Sequence, residues 1–153
     1  MRLKKWLSLV LFVGGVIGIG VLIGMTTPPG DWYAALQKPP LTPPNWLFPP
    51  VWTVLYLLIA IAGWQVWQQQ GLSSLFSIWL LQMGLNFAWS PTVFAAHQLG
   101  IGLAIMMLLL TCLVLFIQRA WRSERLSALF FAPYALWGAF ATYLNAMLYV
   151  INR

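Results

Sequence analysis

Five apolar runs, each close to the roughly 20 residues that a helix needs to cross a bilayer, follow one another along this sequence with polar stretches between them. They fall at about 6–25, 48–68, 74–96, 100–118 and 126–151. Inside hydrocarbon every backbone N–H and C=O must be bonded within the protein, which leaves helices or a closed barrel. No run alternates with period two, so barrel strands are excluded and helices remain. Composition agrees: 61% of residues are hydrophobic and only 7% charged, where soluble domains carry about a quarter. The expected fold is an all-α integral membrane protein, a five-transmembrane-helix bundle forming a single domain over 1–153. Three of the four connections are short, which makes sequential helices antiparallel neighbours. The first run follows Arg2, Lys4 and Lys5 as a secretory signal would, but it exceeds the 7–15 apolar residues of such a signal and lacks its cleavage site. It is expected to stay as the first helix.

The connection between the first two runs, 26–47, has a different character. Eight of the ten prolines lie between Pro28 and Pro50. Each proline fixes its own φ and pushes the preceding residue out of the helical region, so this segment is expected to be a stiff lid. Trp32, Trp46 and Trp52 lie in or beside it and offer flat apolar faces, each with one N–H donor. Such a surface suits a flat, mostly apolar ligand.

With five spans, Arg2, Lys4, Lys5, Arg119, Arg122 and Arg125 share one side, and only Lys38 and Arg153 the other. In a bacterial cell membrane this places the N-terminus in the cytoplasm and the lid outside. Nucleic-acid binding would need a basic face beyond the bilayer, and none is long enough.

The only acids, Asp31 and Glu124, fall outside the spans, so nothing within them can relay protons or hold a coupling ion. A single His and a single Cys cannot furnish a zinc site, and a Ser/His/Asp set has too few acids to draw on. His97 closes the third span as an interfacial residue, with axial ligation of a haem iron as its other possible role. Cys112 has no disulfide partner and is expected to face lipid or pack.

Within the spans, polar and aromatic residues recur at helical spacing. Gln82, Asn86, Trp89 and Ser90 share a face of the third span, and Trp52 and Tyr56 a face of the second. In the fifth span Tyr134, Trp137, Ala141, Asn145 and Tyr149 follow one another turn by turn. Any one of these residues could simply pack or bond to a neighbouring helix. Three such faces below an aromatic lid point to a lined pocket, with Ala141 leaving the space.

Lid and second span, with Trp32, Tyr33, Leu36, Lys38, Pro39, Pro43, Pro44, Trp52, Thr53, Leu55 and Tyr56, together with QMGLNFAWSPTVF over 82–94 and PYALWGAFATYLN over 133–145, resemble the TspO/MBR family. This is the family of tryptophan-rich sensory proteins and translocator proteins, also known as peripheral-type benzodiazepine receptors, and the resemblance is closest to its bacterial members. It implies a dimeric five-helix membrane receptor. Its pocket, opening under the first loop, would bind protoporphyrin IX or haem and regulate tetrapyrrole levels, with sterols and synthetic ligands in some members.

Carried onto this sequence, the resemblance implies ligand contacts from Tyr33 and Pro43, Trp52 and Tyr56, Asn86, Trp89 and Ser90, and Trp137 and Ala141. Indoles matching Trp52 and Trp137 are associated in the family with light- and oxygen-dependent protoporphyrin breakdown, which would make these two the catalytic pair. Neither a bound cofactor nor a metal is expected. Lys38, the one cation near the lid, is the candidate for a porphyrin propionate. Leu144, Tyr149 and Arg153 fit the loose leucine, tyrosine, basic pattern proposed for cholesterol contact, which is also the pattern of ordinary interface anchors. A homodimer would form through Gly84 and Ala88, although the glycine pairs of the first span, Gly14 with Gly18 and Gly20 with Gly24, have the same spacing. The competing reading is a sterol or lipid carrier, or a partner in a membrane complex, without chemistry of its own.

Overall fold

The computed structural model describes residues 2–153, with the Arg2 side chain outside the described set. Five long helices dominate it: α1 (Arg2–Thr26), α3 (Phe48–Gln70), α4 (Ser74–Ser90), α5 (Leu99–Ser123) and α6 (Arg125–Ile151). A short helix, α2 (Asp31–Ala35), and a 3-10 turn at Asn45–Leu47 lie in the first connection. No strand occurs among the described residues. Four helices are long and apolar enough to cross a membrane, namely those within 3–26, 45–70, 99–123 and 125–151. The chain is therefore a multi-pass integral membrane protein.

The third apolar run departs from the expected unbroken span. Its α-helix has 17 residues and ends at Ser90, and the chain continues as a π turn over Pro91–Ala95. Pro91 has no N–H, so the helical ladder loses a donor there. The Ala96 amide instead reaches the Pro91 carbonyl five residues back (2.9 Å), and the Thr92 hydroxyl donates to the Ala88 carbonyl (2.7 Å). His97 then takes a left-handed φ of 57° and turns the chain into α5. Elsewhere the ends follow sequence closely. Pro49 and Pro50 occupy the first turn of α3, where their missing N–H groups cost nothing. Ser73 caps α4 by accepting from the Phe76 amide (3.2 Å).

Helices α3, α4, α5 and α6 close into a ring, and α1 packs outside it against α3 and α4. Among the described side chains of α1, only Val16 is buried. A single residue, Glu124, joins α5 to α6, which forces the tightest antiparallel pairing in the molecule. The rings of Phe116 and Phe131 stack at 3.8 Å across it, both completely buried. Cys112 belongs to this packed interior. Lys4 and Lys5 share one end of the bundle with Arg119, Arg122 and Arg125. Two contacts establish this: Ser8 of α1 accepts from Trp64 and Gln68 of α3, and Gln70 at the end of α3 reaches Glu124 between α5 and α6.

Candidate functional site

Three helices meet at a chain of hydrogen bonds just below the first connection. The Tyr56 hydroxyl on α3 donates to Asn86 Oδ1 on α4 (3.0 Å). Asn86 Nδ2 donates to the hydroxyl oxygen of Tyr134 on α6 (2.6 Å), and that hydroxyl donates back to Gln82 Oε1 on α4 (3.0 Å). Tyr134 and Gln82 are completely buried and Asn86 nearly so. In an apolar interior such groups are stable only when bonded to one another, and all four share one direction of donation. Gln82 Nε2, at the end of the chain, has no acceptor. Tyr56 owes its position to Gly20 of α1, since a side chain at that glycine would collide with the phenol ring.

Both candidate catalytic indoles flank this network. Trp52 lies against Tyr56 (5.3 Å between ring centres) and edge-on to Tyr134 (6.3 Å). Trp137, one turn beyond Tyr134, meets Phe48 and Phe140, each at 5.8 Å. Its Nε1 is buried without an acceptor. Ala141, one turn further on, is half-buried beside the core. Under the first connection Trp52 thus packs on Tyr56 and Trp137 on Phe48, and two open clefts lie on the outer surface of α5. Trp52, Tyr56, Trp89, Trp137 and Ala141 all pack, partly buried, against the core.

The third-span face does not act as a unit. Gln82 and Asn86 enter the network, whereas Trp89 Nε1 donates to Asn145 Oδ1 of α6 (2.7 Å), and Asn145 Nδ2 donates to the Leu99 carbonyl (3.2 Å). Ser90 turns the other way, with Oγ 2.8 Å from Thr27 Oγ1 at the end of α1. Consecutive helical residues point about 100° apart, which suffices to send 89 and 90 to different neighbours.

The first connection is fixed to the bundle at several points. Trp32 stacks on the imidazole of His97 (4.1 Å), and Tyr33 meets Phe94 edge-on (5.1 Å). The Gln37 amide donates to Asn152 Oδ1 (2.9 Å) while Asn152 Nδ2 donates to the Gln37 carbonyl (3.0 Å). Pro43 is half-buried. Lys38 folds back so that its ammonium bonds to the carbonyls of Tyr33, Ala34 and Leu36 and covers the Tyr33 ring at 4.3 Å. All three ammonium donors are thereby engaged in closing the end of α2. Desolvation by burial lowers the Lys38 pKa and raises that of Tyr33.

The remaining candidates lie apart from the network. Tyr149 packs its ring on Gly100, Leu144 is half-buried and Arg153 exposed. Gly84 and Ala88 sit on an exposed face of α4 with open space before Gly84. Gly14, Gly18 and Gly24 are equally open, while Gly20 is used inside the monomer. Sequence reasoning missed the anchors Thr27, His97 with Trp32, and Asn152. Thr27 sat at a recognisable breakpoint, directly before Pro28, whereas the left-handed His97 lies six residues past Pro91.

The sequence profile of the TspO/MBR family matches residues 9–150. Protein CrtK of Rhodobacter capsulatus is 35% identical over 128 residues, 81% of this chain and 80% of its own. Tryptophan-rich protein TspO of Chlorobaculum tepidum is 33% identical over 155 residues, covering 97% of this chain and 98% of its own. Translocator protein of Homo sapiens is 33% identical over 135 residues, 83% and 80% of the two chains.

Proposed function

Because this chain belongs to the TspO/MBR family, we propose that it is a membrane receptor that binds a porphyrin, protoporphyrin IX or haem, between α3, α4 and α6 beneath the first connection, and so regulates tetrapyrrole levels. One observation carries the reading: two buried donors without acceptors, Trp137 Nε1 and Gln82 Nε2, accompany the bonded chain Tyr56, Asn86, Tyr134, Gln82. Orphan buried donors are costly in an apolar interior, and a ligand acceptor would relieve them. The surrounding rings of Trp52, Trp137 and Phe48 supply the flat apolar faces that a macrocycle needs. Entry requires the first connection to lift and the rings to part. A propionate can reach Lys38 only by displacing at least one of its three carbonyl partners.

Trp52 and Trp137 are the residues placed to exchange an electron with an excited porphyrin, with dioxygen as the oxidant of the breakdown. In this reading α4 and its π turn serve as a fifth span, the N-terminus faces the cytoplasm of a bacterial cell and the first connection faces outward, following the cations gathered at the opposite end. The exposed Gly84 and Ala88 supply the dimer contact.

The test is a titration of the detergent-solubilised protein with protoporphyrin IX, in the dark and then under light, following indole quenching and the porphyrin absorption band. Saturable binding is expected, with loss of the band slowed by Trp52→Phe or Trp137→Phe and affinity lowered by Lys38→Ala. Binding without bleaching would leave a receptor or a lipid and sterol carrier. Absence of binding would refute the porphyrin reading.

A further inference from the structure

The end of the bundle opposite the first connection carries a second feature that the porphyrin reading does not use. Two clefts lie on the outer face of α5 and share Gln118. One, of about 590 Å³, is bordered by Arg119, Trp121 and Arg122 in the last turns of the helix. The other, of about 630 Å³, runs back along α5 past Val114 and Leu110 to Met107, with Thr142 of α6 as its far wall. Residues 107, 111, 114, 118 and 122 fall on one helical face, so the two clefts form a single groove. It is apolar along the helix and cationic at the end.

We propose that this groove holds one anionic phospholipid, its phosphate on Arg119 and Arg122 and an acyl chain lying along Val114, Leu110 and Met107. Charge and length both match. The chain has only two acids: Asp31 lies in the first connection, and Glu124 accepts from Gln70. Neither is engaged with the two guanidiniums, which are free to form the paired hydrogen bonds that a phosphate accepts. From residue 118 back to 107 is about 16 Å of helix at 1.5 Å per residue, close to half of the roughly 30 Å hydrocarbon thickness. The exposed Trp121, with the Arg125 guanidinium 6.0 Å over its ring, marks the headgroup level. Lys4 and Lys5 lie at the same end on the exposed face of α1, outside both clefts, and serve as an internal control for diffuse attraction.

The experiment is native mass spectrometry of the full chain, delipidated and then offered equal amounts of phosphatidylglycerol and phosphatidylcholine. One retained phosphatidylglycerol per chain is expected. Arg119→Gln with Arg122→Gln should weaken it about thirtyfold, taking about a fivefold loss for each phosphate-bonded cation. Lys4→Gln with Lys5→Gln should leave it unchanged, and Thr142→Trp, which fills the tail groove and keeps both arginines, should weaken it as well. Circular dichroism checks that each variant keeps its helix content. Equal retention of the two lipids, an equal loss from the lysine pair, or displacement by millimolar glycerol phosphate as effective as by lipid would overturn the proposal. So would a lipid-free crosslink between two copies through residue 142, which would make the groove an interface with a second chain.

Discussion

Tyr134 bears more of the site than its neighbours because its one hydroxyl both accepts from Asn86 and donates to Gln82. Tyr134→Phe keeps the ring and strands a donor on one side and an acceptor on the other, both buried. At about 1–3 kcal/mol for each unsatisfied buried group, the expected cost is about 2–6 kcal/mol, read as a lowered Tm in detergent. An unchanged Tm would mean that the two amides find other partners. At Tyr33 the relevant quantity is a proton. Burial raises its pKa in the docked first connection. Above the ordinary tyrosine value near 10 the undocked chain releases the proton first, so docking weakens as pH rises through that range. Proteolysis of the 27–47 segment should therefore accelerate between about pH 9 and 11, and Tyr33→Phe should flatten that rise; an identical rise in the variant would place the effect elsewhere.

At the scale of elements, close helix approach depends on particular glycines, and the structure separates those that are used from those that are free. The Trp79 indole lies directly over Gly63 and is tied there by its N–H bond to the Ile59 carbonyl (2.9 Å). A methyl at residue 63 would meet a ring that cannot swing away. Gly63→Ala should destabilise by about 1–3 kcal/mol through overpacking, outweighing the roughly 1 kcal/mol gained in helix propensity. Gly14→Ala, facing open space, should be neutral or slightly stabilising. Thermal melts of the two variants side by side decide the matter, since equal shifts would contradict this packing. The π turn is a second element-level device: by interrupting α4 at Pro91, it aims Phe94 at Tyr33 and Trp89 and brings His97 under Trp32.

For the whole molecule, the proposed dimer requires an outer face of small, exposed residues that lets two helices approach closely. The exposed face of α4 combines Gly84 and Ala88 with Leu80 and Leu81, which are 50% and 57% exposed. Gly84→Phe would project into open space and leave the monomer's core untouched. In detergent it is expected to convert a dimer to a monomer by light scattering while the porphyrin titration is unchanged. A dimer that survives would move the contact to the equally open Gly14 and Gly18 of α1.

Much of this was legible in the sequence. Length and hydropathy alone required membrane helices, because backbone in hydrocarbon has no other way to bond itself. Four of the apolar runs became spanning helices, and the third was cut short where Pro91 withdrew a donor. Periodicity placed Tyr56, Asn86, Trp52 and Trp137 on helix faces, since a face is a property of one helix, and in the fold all four are buried or partly buried. Which helix each face meets is not local. It depends on helix order and rotation, and these are set by packing such as Phe116 on Phe131 and Trp79 over Gly63. Only the tertiary structure could join Tyr134 to Asn86 and Gln82, send Trp89 and Ser90 to different partners, tie Gln37 to Asn152 across 115 residues, and bring the rings under the first connection together. Each of these contacts links elements whose separation in sequence carries no information about their separation in space.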